Sequence, residues 1–226
     1  KKSVLKYVRF DGLSNPQKEG WEHTGAVTFY EYPVYIAHCV FMSNIRGDDY
    51  LNIIGTDFTI MDSRFENINA DAFDSDFSTG TITNTSFVKL GNDAIDVSGT
   101  QLKMNGVRIT GAGDKGISGG EASHLICENI IISGGEIAVA SKDNSTIVLD
   151  SILIDASKLA YCAFQKKPEF GPGTIRANRA ESRDVLTEYL IETGSYLSLN
   201  GKDIKEKSDT VEALLGGVEY GTASEH

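Results

Sequence analysis

A period of 22 residues limits what this chain can fold into more than any other feature. The stretch Asn69-Ala-Asp-Ala-Phe-Asp-Ser-Asp76 returns as Gly91-Asn-Asp-Ala-Ile-Asp-Val-Ser98, so Asp71 falls on Asp93 and Asp74 on Asp96. Further steps bring Gly116-Ile117-Ser118, Ala138-Val139-Ala140 and Ala160-Tyr161-Cys162 into the same columns, and one step back brings Tyr50-Leu51-Asn52. Fixed self-similarity of this length marks a solenoid. Apolar columns run through Phe65, Phe87, Ile109, Ile131 and Leu153, and through Ile60, Ile82, Met104, Ile126 and Val148. A polar column holds Asp62, Asn84, Glu128 and Asp150, with Gly106 interrupting it. Apolar residues alternate in short runs broken by Gly, Asn and Asp, which means strands. Each coil then holds three short strands and three turns, every strand pairs with its copy about 4.8 Å away, and the core forms only by stacking. The expected fold is all-β, a parallel β-helix of six to seven coils.

The period fails in two places. Residues 13–24, with Asn15-Pro16, Gly20, Trp21 and His23, show no alternation and read as a projecting loop, the kind of insertion that often forms a binding face. A plain 22-residue step puts Tyr30 in the column of Asn52, while a two-residue insertion in residues 44–50 would put Thr28 there; either register keeps Thr28, Tyr30 and Tyr32 on one face. Two prolines and two glycines in 165–173 end the pattern. Residues 1–176 are therefore assigned to the solenoid and 177–226 to a small α/β cap. That cap is expected to hold a short hairpin, a turn at Asn200-Gly201, and a helix over 209–216 capped by Asp209 and Glu212 and stopped by Gly216.

With 21 Lys+Arg against 32 Asp+Glu the net charge is −11, which argues against nucleic acid as a partner. No stretch is long and apolar enough to span a membrane. Cys39 belongs to an inward column with Ser63 and Thr85, while Cys127 and Cys162 fall in other coils, too far apart for any disulfide.

Alternation also picks out a candidate site. Phe73, Ile95, Ile117 and Val139 point inward, so Asp74, Asp96, Ser118 and Ala140 point out, as do Asp76, Ser98, Gly120 and Lys142. The same outer face carries Tyr30, Tyr32 and Asn52. Asp71 and Asp93 lie at its leading turn, near Asp114 and Lys115. Stacked like charges destabilise a sheet, so the columns Asp71/Asp93 and Asp74/Asp96 call for either a ligand or a backbone partner. Asp71, Asp74, Asp76, Asp93 and Asp96 are candidate ligands for Ca2+, a cation that takes several carboxylate oxygens. Trp21, His23, Tyr30, Tyr32 and Asn52 are candidate sugar contacts.

In these residues the chain resembles the right-handed parallel β-helix superfamily of pectate lyases, over roughly residues 34–170. Asn69-Ala-Asp71-Ala-Phe-Asp74 and Gly91-Asn-Asp93 are similar to two sequence elements of polygalacturonases. Two further elements of that family, a Gly-His-Gly and an Arg-Ile-Lys, are replaced here by Gly113-Asp-Lys-Gly116 and Ala140-Ser-Lys-Asp143. The resemblance implies a right-handed helix and a polysaccharide or oligosaccharide partner. If catalysis occurs, it implies lyase or hydrolase chemistry on an acidic glycan using Asp74, Asp96, Lys115 and Lys142, the lysines as bases beside Ca2+. Gly113 to Glu121, Ala140 to Asp143 and Gln165 to Gly171 also look like β-helix regions of large secreted bacterial proteins that carry spore-coat-type kinase domains. The expected role is a secreted or cell-surface module that binds carbohydrate with Ca2+, as a monomer or as part of a larger chain. A glycan-cleaving enzyme and a structural spacer are the alternatives.

Overall fold

The computed structural model describes residues 1–209 and 211–215. They form a parallel β-solenoid of about eight turns with coils of about 22 residues. Three parallel sheets enclose the core. The first stacks Ser3–Lys6, Val34–Ala37, Asp57–Met61, Thr79–Thr83, Gln101–Asn105, then 124–128, 146–150, 174–177 and Tyr196–Leu199. The second stacks Arg9–Asp11, Val40–Met42, Arg64–Ile68, Ser86–Leu90, 108–110, 130–133, 152–155 and 180–183. The third stacks Gly25–Tyr30, Asp49–Ile54, Asp71–Asp76, Ile95–Ser98, 115–120, 137–142, Leu159–Phe164 and Thr187–Ile191.

Stacking like on like fills the interior. Phe10, Phe41, Phe65 and Phe87 form one column of near-parallel rings with centroids 4.9, 4.6 and 4.7 Å apart, which is the strand spacing itself. Hydroxyls line a corner. Ser78 Oγ accepts from Thr56 N, Thr100 Oγ1 from Ser78 N, Ser123 Oγ from Thr100 N and Ser145 Oγ from Ser123 N, at 3.0–3.2 Å. Cys39, Ser63 and Thr85 make the matching inward ladder at the next corner. Cys39, Cys127 and Cys162 are buried and free.

Four details differ from the 22-residue reading. One extra residue enters at 120–123, so Gln101 pairs with His124 and Met104 with Cys127. A compensating irregularity between Ala112 and Lys115 restores the register in the third sheet. Because side chains alternate, a one-residue slip exchanges the faces. Cys127, Leu149, Ile132 and Ile154 are thus the buried residues, and Ile126, Val148, Ile131 and Leu153 face outward, half-buried. The physical reason is His124, which a strict 22-step would place in the core beneath Leu102. Second, Gly106 is no interruption. Asp62, Asn84, Gly106, Asn129 and Ser151 share the left-handed corner position, a conformation that Gly, Asn and Asp adopt most readily. Glu128 and Asp150 belong instead beside Asn105.

Third, the solenoid has about eight turns rather than six or seven. Fourth, stacking continues through Leu199, so 177–199 completes coils and is not an appendage. The segments 189–192 and 196–199, expected as a hairpin, are strands of two different sheets. A hairpin does turn at Asn200-Gly201, pairing Leu199 with Lys202. The helix is Val211–Leu215. The side chain of Glu212, and Gly216, lie outside the described residues, so the capping scheme is not described. Thr28 pairs with Asn52 and Tyr30 with Ile54, as the two-residue insertion requires.

Candidate functional site

The outer face of the third sheet displays three columns, each changing character along the axis. The first runs Asp49, Asp71, Asp93, Lys115, Ile137, Leu159. The second runs Thr28, Asn52, Asp74, Asp96, Ser118, Ala140, Cys162. The third runs Tyr30, Ile54, Asp76, Ser98, Gly120, then Lys142 and Phe164. The face is therefore acidic in its early coils, carries two lysines in the middle and is apolar at its end. Ile137, Leu159, Cys162 and Phe164 are covered there by Val211 and Leu215 of the short helix.

The turn aspartates do structural work. Asp71 Oδ1 accepts from Asp93 N at 2.7 Å, and Asp93 Oδ1 accepts from Lys115 N at 2.8 Å. Each carboxylate thus ties its coil to the next with one oxygen and keeps the other. Asp71, Asp93 and Asp96 each bring one oxygen to a common point, all within 4.8 Å of one another. Two oxygens bound to one Ca2+ at 2.3–2.6 Å stand at most about 5 Å apart, so the cluster fits a shared cation.

Hydrogen bonds and ammonium groups surround the cluster. Asn52 Nδ2 donates to Asp49 Oδ2 at 3.1 Å and to Asp74 Oδ2 at 3.2 Å. Asn52 is buried, so it holds carboxylates in place and is not the exposed sugar contact that alternation suggested. Its Oδ1 has no partner among the described residues. On the other side Lys115 pairs with Asp114 and stands 3.5 Å from Asp93 Oδ1. Lys142 reaches back two coils to stand 3.6 Å from Asp96 Oδ1. Its stem crosses Gly120, where a Cβ would come within 2.9 Å of Lys142 Cε.

These surroundings displace the carboxylates in opposite directions. Burial first, then the charges of Asp93 and Asp96, push Asp71 well above the ordinary carboxylate range. Burial and the charge of Asp49 do the same to Asp74. Asp49 rises to about 6 and Asp93 to about 7, both chiefly by burial. Burial also acts on Asp96, but the Lys142 and Lys115 ammonium groups outweigh it and hold Asp96 below its ordinary value. Burial works against the Lys115 ammonium, yet Asp93 and Asp114 overcome it and hold the proton more tightly than usual. A lysine held this way is not a base until a cation neutralises its neighbours.

The remaining candidates do not all converge. Tyr30 and Tyr32 are 63% and 46% exposed, at the trailing margin of the third sheet. Residues 13–24 form a small hairpin pairing Gln17 with Glu22 and Lys18 with Trp21. It is tied to the leading margin, where Asp49 N donates to Thr24 O and Asn52 Nδ2 donates to Thr24 Oγ1. Trp21 packs edge-on to His23 with centroids 4.4 Å apart. The strand Gly25–Tyr30, about 16 Å long at 3.3 Å per residue, runs between the hairpin and the two tyrosines. They lie at opposite ends of a strand that stacks on 49–54, in the coil before Asp71. Asp76, half-buried, stands in the outermost column and does not belong to the three-carboxylate cluster.

No known protein family matches the chain, and no curated protein matches it. No helix among the described residues is long and apolar enough to cross a membrane.

Proposed function

We propose that this chain is a carbohydrate-binding β-helix module whose third sheet holds Ca2+ between Asp71, Asp93 and Asp96. The carrying observation is the cluster itself. Three carboxylate oxygens share one locus, buried enough to raise two of the three pKa values, and the two ammonium groups beside them stand 3.5 and 3.6 Å off, one at Asp93 and one at Asp96, leaving Asp71 with no cation of its own among the described residues. Tyr30 and Tyr32 on one margin and Trp21 on the other supply amphipathic surfaces for sugar rings. The 22-residue coils support kinship with the right-handed pectate-lyase-like β-helices, and with it a secreted or cell-surface setting in which millimolar Ca2+ is met.

The test is calorimetric titration of chelator-treated protein with CaCl2, then with oligogalacturonate in the presence and absence of Ca2+. Wild type binds Ca2+, and Asp71→Asn combined with Asp96→Asn does not. Heat from Ca2+ that persists in this double variant removes the site. Ca2+ binding without any Ca2+-dependent glycan binding leaves a cation-stabilised spacer.

A hydrolytic reading has one observation in its favour. Asp74 and Asp96 are partners on adjacent strands and are displaced in opposite directions, the arrangement that separates an acid from a base. It requires Asp74 as proton donor and Asp96 as the ionised partner. Reducing-end release from acidic polysaccharides, abolished by Asp96→Asn, is its signature. Lyase chemistry with Lys115 as base requires the cation in place first.

A further inference from the structure

An open depression lies on the first sheet, on a different face from the carboxylate cluster. It measures about 580 Å³ and is lined by Asp57, Thr79, Thr81, Gln101, Lys103 and His124 around Ile126. A smaller furrow of about 220 Å³ shares Thr81, Lys103 and Ile126 with it and continues toward Asn105 and Glu128. The trough therefore crosses the strands of three coils, 79–83, 101–105 and 124–128, in register, with Thr81 beside Lys103 and Lys103 beside Ile126.

The register slip creates it. The extra residue at 120–123 turns Leu125 and Cys127 inward and leaves His124 and Ile126 on the outside. Ile126 then forms an aliphatic floor between polar walls.

Chemistry along the walls is unspent. Among the described residues the side chains of Asp57, Gln101, Lys103 and His124 make no ion pair and no hydrogen bond with the rest of the protein. Cations further along the same sheet are used within the fold: Arg176 lies over the Tyr196 ring. At the next corner Arg179 pairs with Asp150. Lys103 is thus an unpaired cation in a chain of net charge −11. An amide, an imidazole, two threonine hydroxyls and a carboxylate stand within reach of the same hollow.

We propose that this trough binds an anionic sugar, with Lys103 meeting the acidic group. Gln101, Thr79, Thr81 and Asp57 meet hydroxyls, and the ring rests on Ile126. An aliphatic floor with convergent donors and acceptors is the usual build of a small-ligand site. The acidic group is a carboxylate or a phosphate, since both are recognised by the same ammonium. This inference does not depend on the cation site and stands on separate residues.

The experiment is titration of the isotope-labelled 226-residue chain with galacturonate, glucose 6-phosphate and glucose in separate arms, followed by amide and methyl chemical shifts. The expected result is saturable shifts at Gln101, Lys103 and Ile126 with one or both acids, and none with glucose. Lys103→Met, an exposed change outside the core, weakens that binding about tenfold, the loss of about 1.4 kcal/mol. Asp71→Asn leaves it unchanged. Which acid binds tells carboxylate from phosphate. Equal binding of glucose, unchanged affinity in Lys103→Met, or no shift at these residues at high millimolar acid overturns the proposal.

Discussion

Removing cations from this protein should make its stability fall as pH rises, against the trend set by ordinary paired carboxylates. Asp49 and Asp93 are buried, and their folded values stand at about 6 and about 7 against a starting value of 3.8. An acid whose pKa is raised by folding binds its proton more tightly in the folded state. Its stabilising contribution is complete below about pH 3.8 and is lost as pH climbs through the folded value. Between pH 5 and pH 8 the loss is about 3 kcal/mol for Asp93 and about 1 kcal/mol for Asp49, at 1.36 kcal/mol per pKa unit. For a chain of this size that lowers Tm by roughly 10 °C. Asp96, held low, stays ionised across this window and does not offset the change.

Ca2+ at a hundredfold excess over its Kd returns about 2.7 kcal/mol, so most of the lost Tm should reappear at pH 8. Asp71→Asn keeps an oxygen for Asp93 N and removes one of three converging charges. In chelator at pH 8 it should melt above wild type, show a shallower pH slope, and gain nothing from Ca2+. Differential scanning calorimetry at pH 5, 6.5 and 8, with chelator or with about 10 mM CaCl2, roughly a hundredfold excess over a Kd of about 10⁻⁴ M, reads all three. A flat profile from pH 5 to 8 in chelator, or a lower Tm for Asp71→Asn under those conditions, refutes the reasoning.

Other consequences follow from the coil geometry. Phe65→Ala removes the middle ring of the phenylalanine column and should cost about 3–5 kcal/mol by denaturant melting; a loss under 1 kcal/mol means the stack collapses around the gap. Thr100→Val strips the acceptor from Ser78 N in the buried hydroxyl ladder, with an expected cost of roughly 1–3 kcal/mol and faster exchange of the Ser78 amide. Gly113→Ala places a Cβ 2.1 Å from the Gly91 carbonyl oxygen, a backbone atom that cannot yield, so it should be among the least tolerated glycine changes; a soluble variant of wild-type Tm contradicts the coil spacing described for that turn.

The 22-residue period was enough to determine the class of fold and the facing of the third sheet. Phe73, Ile95, Ile117 and Val139 are fully buried, and Asp74 pairs with Asp96, because apolar and polar residues alternate there without ambiguity. In the same way the columns Asp71/Asp93 and Asp74/Asp96 were legible as a like-charge stack in need of a partner. Tertiary structure alone decided the register after residue 120. Ile130-Ile131-Ile132 is apolar at both parities, and Leu125-Ile126-Cys127 likewise, so hydrophobicity cannot say which member is inside. Only the neighbouring coil chooses, and the burial cost of His124 under Leu102 and of Asn129 under Val107 could have given the slip away. Nor could the sequence show that Asn52 is sealed beneath two carboxylates, or that Lys142 spans two coils because Gly120 leaves it room. Those are facts of side-chain reach between coils. The repeat fixes which residues are neighbours, while the path of each long side chain across them depends on every coil it passes.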